Sequence, residues 1–121
     1  MRHAVAPSAA DLPGELPLPD VARALQTVLG SSLVALVAGV HDPRTIQAWE
    51  RGTRLPSAQA QTRLRNAWQV TQVLLEREAP DTIQAWFIGM DPFLDDEQPA
   101  VMLRRDPDRV VRAARSFLAY G

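Results

Sequence analysis

Val34-Ala35-Leu36-Val37-Ala38-Gly39-Val40-His41-Asp42-Pro43-Arg44-Thr45-Ile46-Gln47-Ala48-Trp49-Glu50-Arg51-Gly52 decides the architecture of this chain. It reads as two short helices separated by a glycine. The first follows Ser31 or Ser32 as cap and carries Leu33, Val34, Leu36, Val37 and Val40 at helical spacing. Gly39 breaks it, since glycine tolerates the positive φ that a tight turn demands. Asp42 then caps the second helix, with Pro43 at the first helical position, where a missing N–H costs nothing. Ile46, Ala48 and Trp49 follow, and Gly52 stops the run.

This pattern is that of a helix-turn-helix. Such a unit needs a small residue in the first helix so the second can cross closely, which is Ala35, and a turn glycine, which is Gly39. It also needs apolar anchors where the helices meet, which are Val40, Ile46 and Trp49. Arg44, Thr45, Gln47, Ala48 and Arg51 are left facing outward. Those residue types suit the major groove: arginine for guanine edges, glutamine for adenine, small side chains for the thymine methyl. The N-terminal half of the second helix is the part that reaches bases in this arrangement. The plainer alternative is a helical hairpin with polar residues outside. Arg54, Arg63 and Arg65 are either phosphate contacts or solvated, with Arg54 counted among the DNA-contact candidates.

Outward from this stretch the pattern stays helical. Asp20 is placed to cap a helix carrying Val21, Ala22, Leu25, Val28 and Leu29 up to Gly30. Pro56-Ser57 opens a long helix to about Glu78, with Leu64, Ala67, Trp68, Thr71, Val73, Leu74 and Leu75 on its apolar side. A shorter helix from Asp81 to Gly89 holds Ile83, Trp86 and Phe87. Met90 to Gln98 is a loop in which Pro92, Phe93 and Leu94 are expected to be pinned. Pro99 starts a short helix, and Asp106-Pro107 starts the last one, with Val110, Val111, Ala114, Phe117 and Leu118. No segment sustains the alternation of a strand. The fold class is therefore all-α. The expected organisation is a flexible leader over 1–18, a helix-turn-helix module over 19–65, and a small helical C-terminal domain over 66–121, joined by the long helix.

Charge is patterned rather than extreme. The formal net charge is −1, and all 13 basic residues are arginine. Residues 41–65 are basic, 76–98 strongly acidic, and 104–115 basic again, which points to surfaces with different partners. The chain has no cysteine and no lysine, and His3 and His41 stand far apart. Disulfides, thiolate metal sites and a cysteine nucleophile are thereby excluded, and a histidine metal site, a lysine Schiff base and a Ser–His pair are disfavoured. The run Asp91, Asp95, Asp96, Glu97 lacks the ligand spacing and central glycine of a calcium loop. The expectation is a non-enzymatic protein without cofactors, cytoplasmic and not membrane-bound.

Trp49-Glu50-Arg51-Gly52 followed by Leu55-Pro56 resembles the repressor-type (Xre) helix-turn-helix over residues 20–65. Residues 66–121 resemble the toxin-binding domain of the Xre/MbcA/ParS antitoxin family. Ala85-Trp86-Phe87, Pro92-Phe93-Leu94, Pro99-Ala100-Val101-Met102-Leu103 and the helix from Asp106 to Leu118 carry that likeness. The acidic Asp95-Asp96-Glu97-Gln98 stands where the family has a glycine-rich turn. The resemblance implies a type II antitoxin that represses its own operon and neutralises a RES-domain, NAD-consuming toxin encoded nearby. By position, Arg112, Arg115, Phe117, Leu118 and Tyr120 would face the toxin, with intramolecular packing as the alternative for Phe117 and Leu118, and a solvated face for the arginines. A homodimer, or a higher hetero-oligomer with toxin, is expected, because one helix-turn-helix reads only a few base pairs. The alternatives are a stand-alone dimeric regulator and a protein-interaction adaptor.

One internal repeat bears on these expectations. Pro-x-Thr-Ile-Gln-Ala-Trp-x-x-Gly occurs at Pro43–Gly52 and again at Pro80–Gly89. The second copy has Asp81 for Arg44 and Phe87-Ile88 for Glu50-Arg51. Negative charge near phosphate is repulsive, so the second copy is expected to be a core or interface helix rather than a second reader of DNA.

Overall fold

The computed structural model describes residues 16–120 and is helical along their length, with no strand among the described residues. The α-helices are α1 (Leu18–Leu29), α2 (Ser31–Ala38), α3 (Pro43–Arg51), α4 (Ala58–Leu74), α5 (Pro80–Ile88), α6 (Pro99–Met102) and α7 (Pro107–Tyr120). A 3-10 turn over Pro92–Leu94 lies between α5 and α6. None of these helices is long and apolar enough to cross a membrane.

The helix boundaries follow local chemistry, with four differences from the sequence reading. First, α1 begins at Leu18 rather than after Asp20, which sits in the first turn. Pro17 and Pro19 are pre-set for a helix start, and burying Leu18 in the core draws the helix back by a turn. Leu18 thus belongs to the helix and not to the expected leader, of which residues 1–15 lie outside the described residues. Second, the cap between α1 and α2 is Gly30, at φ 82°, and not a serine. Its N–H donates to the Gln26 carbonyl at 2.9 Å and its own carbonyl accepts from Val34 N–H at 3.1 Å, so one glycine closes one helix and opens the next. The Ser31 hydroxyl instead accepts from the Gln26 amide.

Third, α4 ends at Leu74, four residues short of Glu78. The next N–H groups tighten into three-residue bonds, Glu76 to Val73 and Arg77 to Leu74. Fourth, α5 starts at Pro80, with Ala79 as its uncapped N-terminal neighbour. Ser57 caps α4, its hydroxyl accepting from Ala60 N–H at 3.1 Å.

The core is one continuous apolar cluster. It takes Val21 and Leu25 from α1, Val34 and Val37 from α2, Ile46 and Trp49 from α3, and Leu64, Val70 and Leu74 from α4. Ile83 and Phe87 of α5, Leu94, Leu103, and Val110 and Ala114 of α7 also belong to it. The cluster runs without a break past residues 65 and 66, inside α4. That helix is central and packs on α1, α2 and α7, while α1 also meets α3 and α5 and α2 also meets α3 and α6. α3 is thus packed from behind by both α1 and α2.

Candidate functional site

The turn between α2 and α3 is built by its end residues. Gly39 adopts the left-handed conformation at φ 79°. Val40 N–H then reaches back to the Ala35 carbonyl at 3.0 Å and Gly39 N–H to Leu36 at 3.2 Å, the paired bonds of a Schellman cap. A side chain at position 39 is disfavoured by this positive φ, and its Cβ would in addition push aside the Arg63 guanidinium, whose Nη1 would lie 2.5 Å away. The same motif closes α3, where Gly52 sits at φ 73°, Thr53 N–H bonds the Ala48 carbonyl at 3.0 Å and Gly52 N–H bonds Trp49 at 3.1 Å. Both ends of α3 are therefore sharply defined. At its start, the Asp42 carboxylate accepts from Arg44 N–H at 2.9 Å.

Within α3 the two faces separate cleanly. Ile46 is fully buried and Trp49 nearly so, one turn apart on the inner side. Arg44, Gln47, Ala48 and Arg51 fall at i, i+3, i+4 and i+7, one stripe on the opposite side. Arg44, Gln47 and Arg51 are exposed and Ala48 is half-buried; Thr45, also half-buried, flanks the stripe. Arg54 is exposed just beyond the helix, close enough to Asp42 to favour its ionised form. The structure thus brings five of the six expected contact residues onto one stripe and its C-terminal edge, and sets Thr45 at the side.

The arginines expected either to touch phosphate or to be solvated divide differently. Arg63 is half-buried and sets Nη1 3.4 Å from the Ala38 carbonyl, against the negative end of α2. Arg65 donates to the Leu16 carbonyl at 2.9 Å. Neither role was legible without the tertiary contacts. A further tie comes from Arg23, which pairs with Asp20 and donates to the Glu50 carbonyl of α3 at 2.6 Å.

Asp42 does more than cap. Nε of Arg44 lies 3.2 Å from both carboxylate oxygens, and Nη2 lies 3.0 Å from Oδ2. Hydrogen bonds from the Arg44 side chain, then from its backbone N–H, hold the Asp42 carboxyl below its ordinary value of 3.8. The same pair raises the Arg44 guanidinium above its usual range. The cap was foreseeable from sequence, whereas the fork was not.

The C-terminal candidates do not share one face. Phe117 is half-buried against the core, its ring centroid 6.3 Å from that of Trp86. Leu118 and Arg115 line a shallow cleft with Glu76 and Arg77, just beyond the end of α4. Tyr120, 85% exposed, lies across the helix and lines a second small cavity of about 160 Å³ with Pro92, Phe93 and Phe117. Arg112 is exposed, and no ion pair holds it among the described residues. The expectation that the whole Pro92–Leu94 segment is pinned holds for Leu94, which is fully buried, and fails for Phe93, which is 58% exposed. A 3-10 turn sends successive side chains in three directions, so only one of the three can face the core. The sequence reading accordingly missed Phe93 as part of an exposed aromatic surface.

Two arginines of this half are occupied: Arg109 pairs with Asp95 at 2.9 Å and Arg105 with Glu97 at 3.4 Å. Asp95 and Asp96 both adopt positive φ, at 56° and 63°, where glycine is the usual residue. The acidic segment therefore makes its turn with two successive aspartates in the left-handed region. Asp91 anchors it, accepting from Trp86 Nε1 at 3.0 Å and Phe93 N–H at 2.7 Å.

Comparison with known protein families, curated proteins and solved structures finds no match to this chain.

Proposed function

We propose that this chain is a DNA-binding antitoxin. In this reading α2, the Gly39 turn and α3 form a helix-turn-helix module whose recognition helix is α3. The observation that carries the DNA-binding half is the exposed stripe of Arg44, Gln47, Ala48 and Arg51 on a helix anchored from behind by Ile46 and Trp49. Arginine and glutamine one turn apart are the residues that make bidentate contacts to guanine and adenine. Rigid anchoring matters because base contacts need donors held in place before docking.

The C-terminal half is assigned to the toxin. Its resemblance to the antitoxin domain points to a RES-domain partner, and the exposed Phe93 and Tyr120 beside Phe117 give that half an aromatic surface of the kind enriched at interfaces. Arg112 and Arg115 lie on the solvent side of α7, where they are free to meet anionic groups.

The test is in two parts. Duplex DNA from upstream of the chain's own reading frame is titrated with wild type, Arg44→Ala and Gln47→Ala over a range of salt. Wild type should bind with steep salt dependence, and each variant should lose about 1–3 kcal/mol at unchanged helicity. Co-purification with the neighbouring gene product then asks for the toxin. A complex lost on Tyr120→Ala with Arg112→Glu supports the antitoxin assignment. Salt-dependent DNA binding without any complex leaves a stand-alone regulator, and a complex without DNA binding leaves an adaptor.

A further inference from the structure

The fork between Asp42 and Arg44 selects which guanidinium edge remains available. Arg44 has five N–H donors in a fixed plane. The N–H of Nε and one of Nη2 are taken by the carboxylate. Both protons of Nη1 and the outer proton of Nη2 have no partner among the described residues. The remaining edge, Nη1 with Nη2, is a pair of parallel donors at the tip of the side chain. That pair matches two adjacent acceptors, such as N7 and O6 of guanine. The carboxylate itself is fixed, since Oδ1 also accepts the Arg44 backbone N–H at the N-terminus of α3.

We infer that Asp42 is a positioning residue for base recognition, holding Arg44 so that its terminal edge is presented to a guanine. The inference rests on the DNA-binding reading of α3 given above. In isolation the pair is exposed and worth little, because water competes for both charges. Against DNA the same pair would be partly desolvated, and an arginine already held in one rotamer loses less freedom on binding. There is an opposing effect: a carboxylate on the DNA face repels phosphate whatever the sequence. Asp42 is thus expected to lower affinity for DNA in general and to raise discrimination at one base pair. A residue with a merely structural role would move both in the same direction.

That opposition supplies the test. Asp42→Asn and Asp42→Ser keep side-chain oxygens that cap a helix about as well as aspartate does, so unchanged thermal melts establish that α3 persists. A duplex is selected from randomised DNA with wild-type protein. Each of its guanines is then replaced in turn by adenine or by 7-deazaguanine, which lacks the N7 acceptor. Wild type should lose on the order of 10-fold or more in affinity at one guanine per half-site. With either Asp42 variant that penalty should shrink by about 5-fold or more, while binding to a scrambled duplex tightens. Arg44→Ala should abolish the penalty, and adding Asp42→Asn to it should change discrimination no further. If the Asp42 variants keep the full guanine penalty, or if the two substitutions prove additive, the positioning role is wrong while DNA binding by α3 stands. If wild type selects no duplex at all, the DNA-binding reading and this inference fall together.

Discussion

α3 and α5 are written with the same letters and put to different uses. Both read Pro-x-Thr-Ile-Gln-Ala-Trp and run for nine residues before a glycine. In both, the isoleucine and the tryptophan turn inward, Ile46 with Trp49 and Ile83 with Trp86. The differences lie in what surrounds the shared string. Gln47 is exposed, whereas Gln84 reaches across to the Val28 carbonyl at 2.7 Å. Trp49 Nε1 is buried without a partner among the described residues, whereas Trp86 Nε1 bonds Asp91. Phe87 adds a third buried residue to α5, and α3 has the half-buried Glu50 there. The repeated string specifies a helix and its inward side, and its neighbours decide whether the outward side is left free. Only α3 keeps its glutamine and its preceding arginine available at the surface.

The comparison is first broken or upheld at the anchors. Ile46→Ala and Ile83→Ala should each cost about 2–5 kcal/mol, the usual penalty for emptying a fully enclosed isoleucine site. Denaturant unfolding measures both. A near-silent result at either position would show that the shared string does not anchor the two helices alike.

The tryptophans should then separate. Trp86→Phe leaves the buried Asp91 carboxylate short of a donor, whereas Trp49→Phe removes an N–H that had no acceptor among the described residues. The gap between them should be about 1–3 kcal/mol, the cost of stranding a buried acceptor. Equal losses would mean that the Trp86–Asp91 bond carries no net stability.

The glutamines sharpen the contrast further because their effects fall in different assays. Gln84→Ala should lower stability by about 0.5–1.5 kcal/mol, for one part-buried hydrogen bond. Gln47→Ala should leave stability within about 0.5 kcal/mol, as for an ordinary surface site, and on the proposed function should act only on DNA affinity. Loss of stability without loss of affinity at Gln47 would return α3 to the same structural role as α5.

These pairs also show how far local chemistry carries a reading of the chain. The α3 helix was legible because its cap, its first proline, its anchors and its stop all lie within eleven residues, Asp42 to Gly52. The stripe of Arg44, Gln47, Ala48 and Arg51 followed from helical spacing alone. What was not legible depends on distant partners. Gln84 finds a carbonyl 56 positions away, Arg63 finds one 25 away, and no periodicity encodes either. Leu18 was misassigned to the leader because its proline neighbours resemble a linker until the core that buries it is seen. Phe93 was misread because apolar identity predicts burial only on average.

The smallest expected effect tests whether α3 differs from α5 at its start. Asp42 caps α3 with its side chain, and α5 has no side-chain cap. Because the folded state holds the Asp42 carboxyl below 3.8, folding favours the ionised form. Its contribution is therefore complete above that pH and is lost as pH falls through the depressed value, as the protonated acid gives up the Arg44 pair. Amide exchange at Arg44 and Thr45, followed from about pH 5 to about pH 2 and corrected for intrinsic rates, should show α3's first turn loosening while Ile83, whose N–H bonds the Ala79 carbonyl at the start of α5, holds. Arg44→Ala should shift the α3 midpoint upward toward 3.8 without reaching it, since the backbone N–H at position 44 still bonds the carboxylate. High salt should produce part of the same shift by screening an exposed pair. If α3 and α5 loosen together, the transition is global acid unfolding rather than loss of one cap, and Asp42 no longer distinguishes the two helices.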